Sequence, residues 1–207
     1  MKIGIIGAGH IGATAARLFV GVGHEVALSN SRGPDSLAGL VADLGPDARA
    51  TTVDEAAAFG EVVLLAVPWR SPEALPASGT VVGKVVIDAM NPYGPDGVID
   101  LGDSTSSEET ARRLPGARLV KAFNTIYWVH LAEQGQPGAP LDGRRAIPVA
   151  GDDAEAKAVV TGLIEQIGFA PVDSGSLREG GRRQQPGTPV YNKVLSGAEA
   201  REVLGAG

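Results

Sequence analysis

Apolar residues along this chain fall into short continuous runs, separated by stretches in which they return every three or four positions. The continuous runs predict strands at 2–6, 25–29, 61–67, 84–89, 118–123, 145–151 and 169–173. Runs without polar alternation are typical of strands that are covered on both faces. Between them, the spacing of Ile11, Ala15, Leu18 and Val22 predicts a helix with one buried stripe. Alternating strands and helices indicate an α/β fold with a doubly wound parallel sheet.

Turn and capping residues predict where several of these elements begin, and the periodic pattern stops after about residue 174. Helix starts are expected at Pro34, at Ser106 or Ser107, and at Asp152 or Asp153. The remainder is rich in Gly, Pro, Arg and Gln, which favours an extended tail.

Three arginines, Arg178, Arg182 and Arg183, lie close together in this tail. They suit an anionic substrate, although a solvated loop is the simpler interpretation.

Composition limits the function classes that need to be considered. The chain has 207 residues, of which 43% are hydrophobic, enough for one main domain and a small tail. A net charge of −6 without a basic face argues against nucleic acid, and the lack of cysteine with only three histidines argues against a metal. The apolar runs are far shorter than the ~20 residues of a membrane helix, and the early glycines do not fit a signal peptide. We therefore expect a soluble cytoplasmic protein that binds a small molecule.

The glycine-rich stretch GAGHIG, Gly7 to Gly12, follows a predicted strand and opens a predicted helix. In this context the G-x-G-x-x-G pattern predicts a dinucleotide site in a Rossmann-type fold. Gly7 permits the tight turn, Gly9 lets a pyrophosphate approach the backbone, and Gly12 lets the helix pack against the strand. His10 and Ile11 open the helix and contribute mainly their backbone N–H groups.

The end of the second predicted strand indicates which dinucleotide is preferred. An NAD-binding chain usually places an Asp or Glu there, whereas this one has Ser29, Asn30, Ser31 and Arg32. The 2′-phosphate of NADP would be repelled by a carboxylate but accepts hydrogen bonds from hydroxyl, amide and guanidinium groups. These four residues therefore predict selection of NADP, and a simple polar turn is the alternative.

Ligands of open α/β sheets collect at the carboxyl ends of the strands, which places three more segments near the nicotinamide. The first holds Val67, Pro68 and Trp69, where the indole either covers a ring or caps the edge of the core. The second holds Ala89 and Asn91.

The third segment contains Lys121 and Asn124. An ion pair at the end of the strand is the alternative explanation for the lysine. No residue is predicted to act covalently, and Asn124 and Lys121 are expected to support a hydride transfer that depends on cofactor alignment.

As a set, KIGIIGAGHIG, SNSRG, VKAFNTI, IPVAGDDAEAK and VDSGSL resemble the NADPH-dependent reductases of the deazaflavin coenzyme F420, over residues 1–177. The resemblance implies a homodimer with NADP held by the glycine loop, Ser31 and Arg32. It also implies that the deazaflavin stacks near Pro68, Asn91, Asn124 and the C-terminal segment. Residues 1–177 would then form the NADP-binding domain, and 178–207 an extension that completes the acceptor site or a dimer contact.

The sequence identifies the hydride acceptor less specifically than it identifies NADP. Archaeal members of that family have a His where this chain has Asn124, and KAFNT also resembles the NADPH domain of membrane metalloreductases. Two alternatives therefore remain. One is a soluble NADPH-dependent reductase of a flavin, imine or carbonyl, for which Lys121, Tyr127 or Tyr93 would supply a proton. The other is a non-enzymatic NADP-binding redox sensor.

Overall fold

The computed structural model describes residues 1–205 as ten strands and eight α-helices. The strands are β1 (Lys2–Ile6), β2 (Glu25–Ser29), β3 (Ala48–Ala50), β4 (Val62–Leu65), β5 (Val85–Asp88), β6 (Tyr93–Gly94), β7 (Gly97–Val98), β8 (Arg118–Lys121), β9 (Ala146–Gly151) and β10 (Ala170–Gly175). The helices are α1 (His10–Gly21), α2 (Ala38–Leu44), α3 (Val53–Phe59), α4 (Ser106–Arg113), α5 (Trp128–Glu133), α6 (Ala154–Gln166), α7 (Glu179–Arg183) and α8 (Gly197–Leu204).

Eight strands form one sheet in the order β10-β9-β8-β5-β4-β1-β2-β3, and β6 and β7 form a small hairpin. The strands from β8 to β3 in this order are parallel, and the chain proceeds from β1 towards opposite edges of the sheet through β2 and β4. This is the predicted doubly wound α/β architecture of Rossmann type. Its point of reversal lies beside β1, where such folds form their ligand crevice.

The sheet is not parallel throughout, because β9 runs antiparallel to β8. The helix between them, α5, has only 6 residues and so spans about 9 Å. It packs on α1, and the chain enters β9 from the edge at which it left β8. The strand β10 then pairs in parallel with β9. The sequence pattern had indicated strands at these positions but not their direction.

Two hydrophobic layers cover the sheet, which explains the continuous apolar runs. The adjacent residues Ile5 and Ile6 are both fully buried, yet Ile5 belongs to the layer that contains Phe19 and Val160, and Ile6 to the layer that contains Val86. Successive strand residues point to opposite faces, so both must be apolar when both faces are covered.

The helix starts agree closely with the capping signals. Asp153 caps α6 by accepting a hydrogen bond from the N–H of Ala156. Thr105, one residue before the predicted Ser106, caps α4 in a reciprocal arrangement with Glu108. Pro34 begins a short 3₁₀ turn that leads into α2. Local side-chain chemistry therefore determines these boundaries to within one or two residues.

The C-terminal segment is folded and not extended, contrary to the sequence-based prediction. It contains α7 and α8, and its apolar residues Val190, Ala200 and Leu204 pack on Val172 of β10. A five-residue helix with two glycines is too short to show a helical period, which is why α7 escaped the pattern.

Arg182 and Arg183 of this segment donate hydrogen bonds to backbone carbonyl oxygens. Arg182 donates to that of Asp103, and Arg183 donates to those of Ser174 and Leu204. Arg178 lies 3.7 Å from Glu108. These arginines attach the segment to the domain.

Among the described helices, none is both long enough and apolar enough to cross a membrane.

Candidate functional site: a dinucleotide crevice closed by the C-terminal segment

Two glycines of the loop between β1 and α1 are required by the fold itself. Gly7 has φ +101°, and a Cβ there would lie 2.5 Å from the carbonyl oxygen of Ala66. A Cβ on Gly12 would lie 1.8 Å from the carbonyl oxygen of Gly7. These contacts bring the start of α1 against the end of β1, in the roles predicted for the first and third glycines.

Gly9 has no such reason to be glycine. Its φ of −78° suits any residue, and a Cβ built on it meets no atom within 4 Å. It caps α1 without any side-chain hydrogen bond, so the first N–H groups of the helix, at His10, Ile11 and Gly12, face outward. Unpaired helix N–H groups beside an open glycine fit an anionic pyrophosphate that approaches the backbone.

The turn after β2 presents a cation next to this loop. Asn30 accepts a hydrogen bond from the backbone N–H of Arg32 at 2.9 Å and also bonds with the Ser36 hydroxyl, and so it shapes the turn. The side chains of Ser31 and Arg32 are exposed and form no hydrogen bond or ion pair within residues 1–205. The predicted site for the 2′-phosphate therefore has one guanidinium and one hydroxyl directed to solvent.

Ser29 lies differently from the prediction. It is fully buried as the last residue of β2, and its hydroxyl donates to the carbonyl oxygen of Ile5 at 3.3 Å. Its backbone carbonyl accepts from the N–H of Gly7 at 3.0 Å. Ser29 therefore joins β2 to the glycine loop, and its side chain does not reach the surface where a phosphate would bind.

An aromatic group borders the glycine loop on the α5 side. The exposed ring of His10 stacks on the indole of Trp128 at 4.6 Å between centroids, with 12° between the planes. Tyr127, also exposed, lies 6.0 Å from Trp128. His10 thus has a side-chain contact as well as its backbone role, and Trp128 is a neighbour of the site that sequence reasoning missed.

The loop after β4 contributes two of its three predicted residues. A methyl group of Val67 would be 2.9 Å from a Cβ on Gly7, so this side chain lies over the glycine turn. Pro68 is exposed beside it. Trp69 is instead 7% exposed within the second hydrophobic layer, where its indole N–H donates to the carbonyl oxygen of Ser106 and Arg113 lies over its ring. The ring caps the core edge and does not face the crevice.

Asn91 and Asn124, at the ends of β5 and β8, are joined directly as predicted for one pocket. The Asn91 amide donates to the carbonyl oxygen of Asn124 at 2.9 Å, and the Asn124 amide donates to Oδ1 of Asn91 at 3.1 Å. Ala89 is buried below them. The Oδ1 atom of Asn124 is buried and has no hydrogen-bond partner among the described residues.

The C-terminal segment closes this pocket. The Asn124 amide also donates to the carbonyl oxygen of Gln184 at 2.9 Å. The backbone N–H of Asn192 donates to the carbonyl oxygen of Thr125. The Tyr191 hydroxyl lies 3.0 Å from that of Tyr93 and 3.4 Å from the Asn91 amide. Burial raises the pKa of Tyr191, and its bond with Tyr93 raises it further.

Lys121 is held inside the protein. It is 1% exposed, pairs with Asp88 at 3.2 Å, and donates to the carbonyl oxygen of Met90 and the hydroxyl of Ser106. Burial lowers its pKa, and the ion pair with Asp88 opposes that shift. The ion-pair explanation therefore holds, and Lys121 supports the pocket floor without reaching a ligand.

The backbone before Asn124 shows how that side chain is directed. Phe123 has φ +66°, a conformation that is rare for a bulky residue, and its ring is buried against Phe19. The unusual backbone angle turns the chain at the end of β8, between Lys121 in the core and Asn124 in the pocket. No sequence signal marks a phenylalanine for this conformation.

Comparison with known proteins finds similarity to NADP-dependent oxidoreductases. Residues 2–92 match the family model described as NADP oxidoreductase, coenzyme F420-dependent. The hypothetical protein SMa0349 of Sinorhizobium meliloti is 35% identical, with a TM-score of 0.82 over 95% of each chain. A candidate F420-dependent NADP reductase of Arthrobacter sp. FB24 is 26% identical, with a TM-score of 0.72 over 86% of each chain.

One curated relative is named for a different activity. The metalloreductase STEAP3 of Rattus norvegicus is 33% identical over 178 residues, which is 85% of this chain and 34% of that protein. The chain therefore spans about a third of the length of the curated relatives that it matches, which have 34% and 35% of their length covered.

Proposed function

Since the chain belongs to the family of coenzyme F420-dependent NADP oxidoreductases, we propose that it transfers a hydride between NADP(H) and coenzyme F420, a deazaflavin. The observation that carries the NADP half is the open space at Gly9 directly beside the uncapped N-terminus of α1. A pyrophosphate would accept hydrogen bonds from the free N–H groups there, and a Cβ on Gly9 would occupy the space it needs.

In this proposal, each part of NADP has a place along the crevice. The N–H groups at the start of α1 bind the pyrophosphate. Ser31 and Arg32 bind the 2′-phosphate, since a guanidinium pairs with a phosphate dianion through charged hydrogen bonds. Val67, Pro68 and Asn91 lie at the carboxyl edge of the sheet, where the nicotinamide is expected.

For the acceptor half, the pocket offers neutral groups that position a planar molecule. Nicotinamide C4 and deazaflavin C5 supply the chemistry: NADPH, F420 and one proton give NADP⁺ and reduced F420. The chain has to align the two rings and keep them together. Asn124 and Tyr191 supply hydrogen-bonding groups at this edge, and Oδ1 of Asn124 is buried there without a hydrogen-bond partner among the described residues.

The test mixes the purified protein with NADPH and F420 and follows the visible absorbance band of the deazaflavin. The proposal expects rapid bleaching with NADPH, much slower bleaching with NADH, and no bleaching without protein. A matched pair of variants isolates the nucleotide site. Gly9→Ala should lose NADPH binding, whereas Gly21→Ala, on the same helix and also with open space for a Cβ, should keep it.

FMN and FAD, assayed in parallel with F420, test the second candidate acceptor class. A flavin is that second candidate, because the resemblance to metalloreductases, found over 85% of this chain, implies hydride transfer to a flavin. Bleaching of flavin alone would replace the deazaflavin in the proposal and leave the NADP half intact. NADPH binding without turnover of any acceptor would contradict the proposed reaction and favour a sensor.

A further inference from the structure

Arg145, immediately before β9, is a buried cation with an incomplete set of partners. The residue is 7% exposed, and one guanidinium nitrogen donates to Oε1 of Gln134 at 3.0 Å. Its Nε is buried without a hydrogen-bond partner, and no carboxylate of residues 1–205 lies within 4.0 Å of the guanidinium. Burying an unpaired charge costs several kcal/mol unless something compensates for it.

Other buried or half-buried arginines in the chain show what compensation looks like. The neighbouring Arg144 donates to three backbone carbonyls, those of Ala139, Glu165 and Pro137. Arg118 forms a bidentate salt bridge with Asp153, with nitrogen–oxygen distances of 2.6 and 2.9 Å. Arg145 has neither arrangement, and burial lowers its pKa, although a guanidinium stays protonated in proteins.

Arg145 lines an open cavity of about 360 Å³ between the 134–143 loop and the start of α8. The other polar groups around it are Gln134, Gln136, Ser196 and Glu199. The carboxylate of Glu199 is engaged by the N–H and hydroxyl of Ser196, both at 2.8 Å, and caps α8. The cavity therefore combines neutral amides, one carboxylate engaged in a helix cap, and one cation that forms no ion pair among the described residues.

We propose that this cavity binds a small molecule through a carboxylate or phosphate group, with Arg145 as the residue that pairs with the anion. The cavity is lined by Arg145, by the 134–143 loop and by residues 194–199, which lead into α8, and none of the glycine-loop residues lines it. It is thus a second site, and its existence does not depend on the identity of the hydride acceptor. Gln134, which already holds the guanidinium, would orient it towards the ligand.

The experiment measures the thermal midpoint of unfolding of the full chain saturated with NADP⁺, so that added anions cannot act at Arg32. Sodium chloride is replaced at constant ionic strength by inorganic phosphate in one arm and by succinate in the other. We expect at least one anion to raise the midpoint by about 2–4 °C in the wild type. Arg145→Gln should abolish the rise, and Arg49→Gln, an exposed arginine remote from the cavity, should retain it.

The arms distinguish the two sources of the anionic group, since phosphate and succinate share only charged oxygens. An equal rise in the wild type and Arg145→Gln would overturn the proposal, and so would no rise with either anion. If Arg145→Gln fails to fold, Arg145→Lys keeps the test open, because a retained charge with altered geometry should weaken the rise by several fold. A rise that disappears in Arg32→Ala but not in Arg145→Lys would assign the effect to the nucleotide site.

Discussion

The two ends of the crevice are built in different ways. The nucleotide end comes from short contiguous segments, residues 7–12 and 30–32, and its donors are backbone N–H groups and one exposed guanidinium. The acceptor end brings together Asn91, Asn124 and Tyr191, which lie as far as 100 positions apart in sequence. The first end can be recognised from a motif, whereas the second exists only once the sheet and the C-terminal segment have assembled.

The difference between the two ends indicates where variation in function is expected. The glycine loop permits no side chain at Gly7 or Gly12, because a Cβ at either position would lie 2.5 or 1.8 Å from a backbone carbonyl oxygen. The acceptor end depends on amide and hydroxyl hydrogen bonds, which other residues can replace at modest cost. If the proposed function is correct, change at the acceptor end should alter the acceptor without altering NADP binding.

The largest expected effect tests whether Lys121 is structural. Lys121→Met leaves Asp88 buried without its cation, and breaking such a pair costs about 3–5 kcal/mol of unfolding free energy. Urea unfolding measures this loss. If Lys121 instead served only the chemistry, the variant would unfold like the wild type and lose turnover, and the contrast between the two ends would have to be revised.

The next prediction distinguishes a glycine that the fold requires from a glycine that NADPH binding requires. Gly12→Ala should lose about 3 kcal/mol of unfolding free energy, because its Cβ meets the backbone of Gly7. Gly9→Ala should change stability by less than about 0.5 kcal/mol, yet weaken NADPH binding by about tenfold or more. Denaturation and fluorescence titration measure the two quantities. Similar stability losses in both variants would show that Gly9 also serves the fold.

Selection between NADP and NAD is expected to depend on one exposed cation. Arg32→Ala should weaken NADPH binding by ~1.5–3 kcal/mol, the range for charged hydrogen bonds, and leave NADH binding nearly unchanged. Arg70→Ala, an exposed arginine in the loop after β4, is the matched control and should preserve the preference. Equal losses for both cofactors would place Arg32 away from the 2′-phosphate.

The smallest effect concerns the tyrosine pair that holds the C-terminal segment. Burial raises the pKa of Tyr191 in the folded protein above the ordinary value of about 10, which applies to the unfolded chain. Above about pH 10, Tyr191 therefore keeps its proton in the folded state more often than in the unfolded state. Its contribution to stability is therefore complete below about pH 10 and declines as the pH rises, by at most about 1.4 kcal/mol per pH unit.

Tyr191→Phe should flatten this alkaline decline in urea unfolding between pH 9 and 11, and the exposed Tyr127→Phe should not. An unchanged decline in Tyr191→Phe would mean that Tyr191 does not carry the alkaline loss.

Much of the fold was predictable because its signals are local. The runs that became β1, β2, β5 and β9 were correct to within a residue or two, since continuous apolar segments reflect burial on both faces. The three-residue β3 was missed, because ARA carries no such signal. The helix α8 was missed as well, although Ser196 and Glu199 form a capping box that a closer search would have found.

The candidate site was also predictable only in part: the glycine motif was, and the orientation of residues at the strand ends was not. The G-x-G-x-x-G motif predicted the structural roles of Gly7 and Gly12 correctly, since both follow from backbone sterics. Trp69 and Ser29 were assigned to the site from their positions alone, and both are directed inward in the structure. A residue next to a strand end can face either the core or the crevice, and the choice depends on partners such as Ser106 and Ile5 that are distant in sequence.

By itself, the sequence determined the alternating α/β pattern, the glycine turn and the exposed basic residue after β2, because each depends on neighbours within a few positions. Only the tertiary structure decided the antiparallel entry of β9, the burial of Lys121 against Asp88, and the closure of the Asn124 pocket by Gln184 and Tyr191. These features depend on contacts between segments 30 to 100 positions apart, and their stability comes from burial and hydrogen bonding that no local pattern encodes.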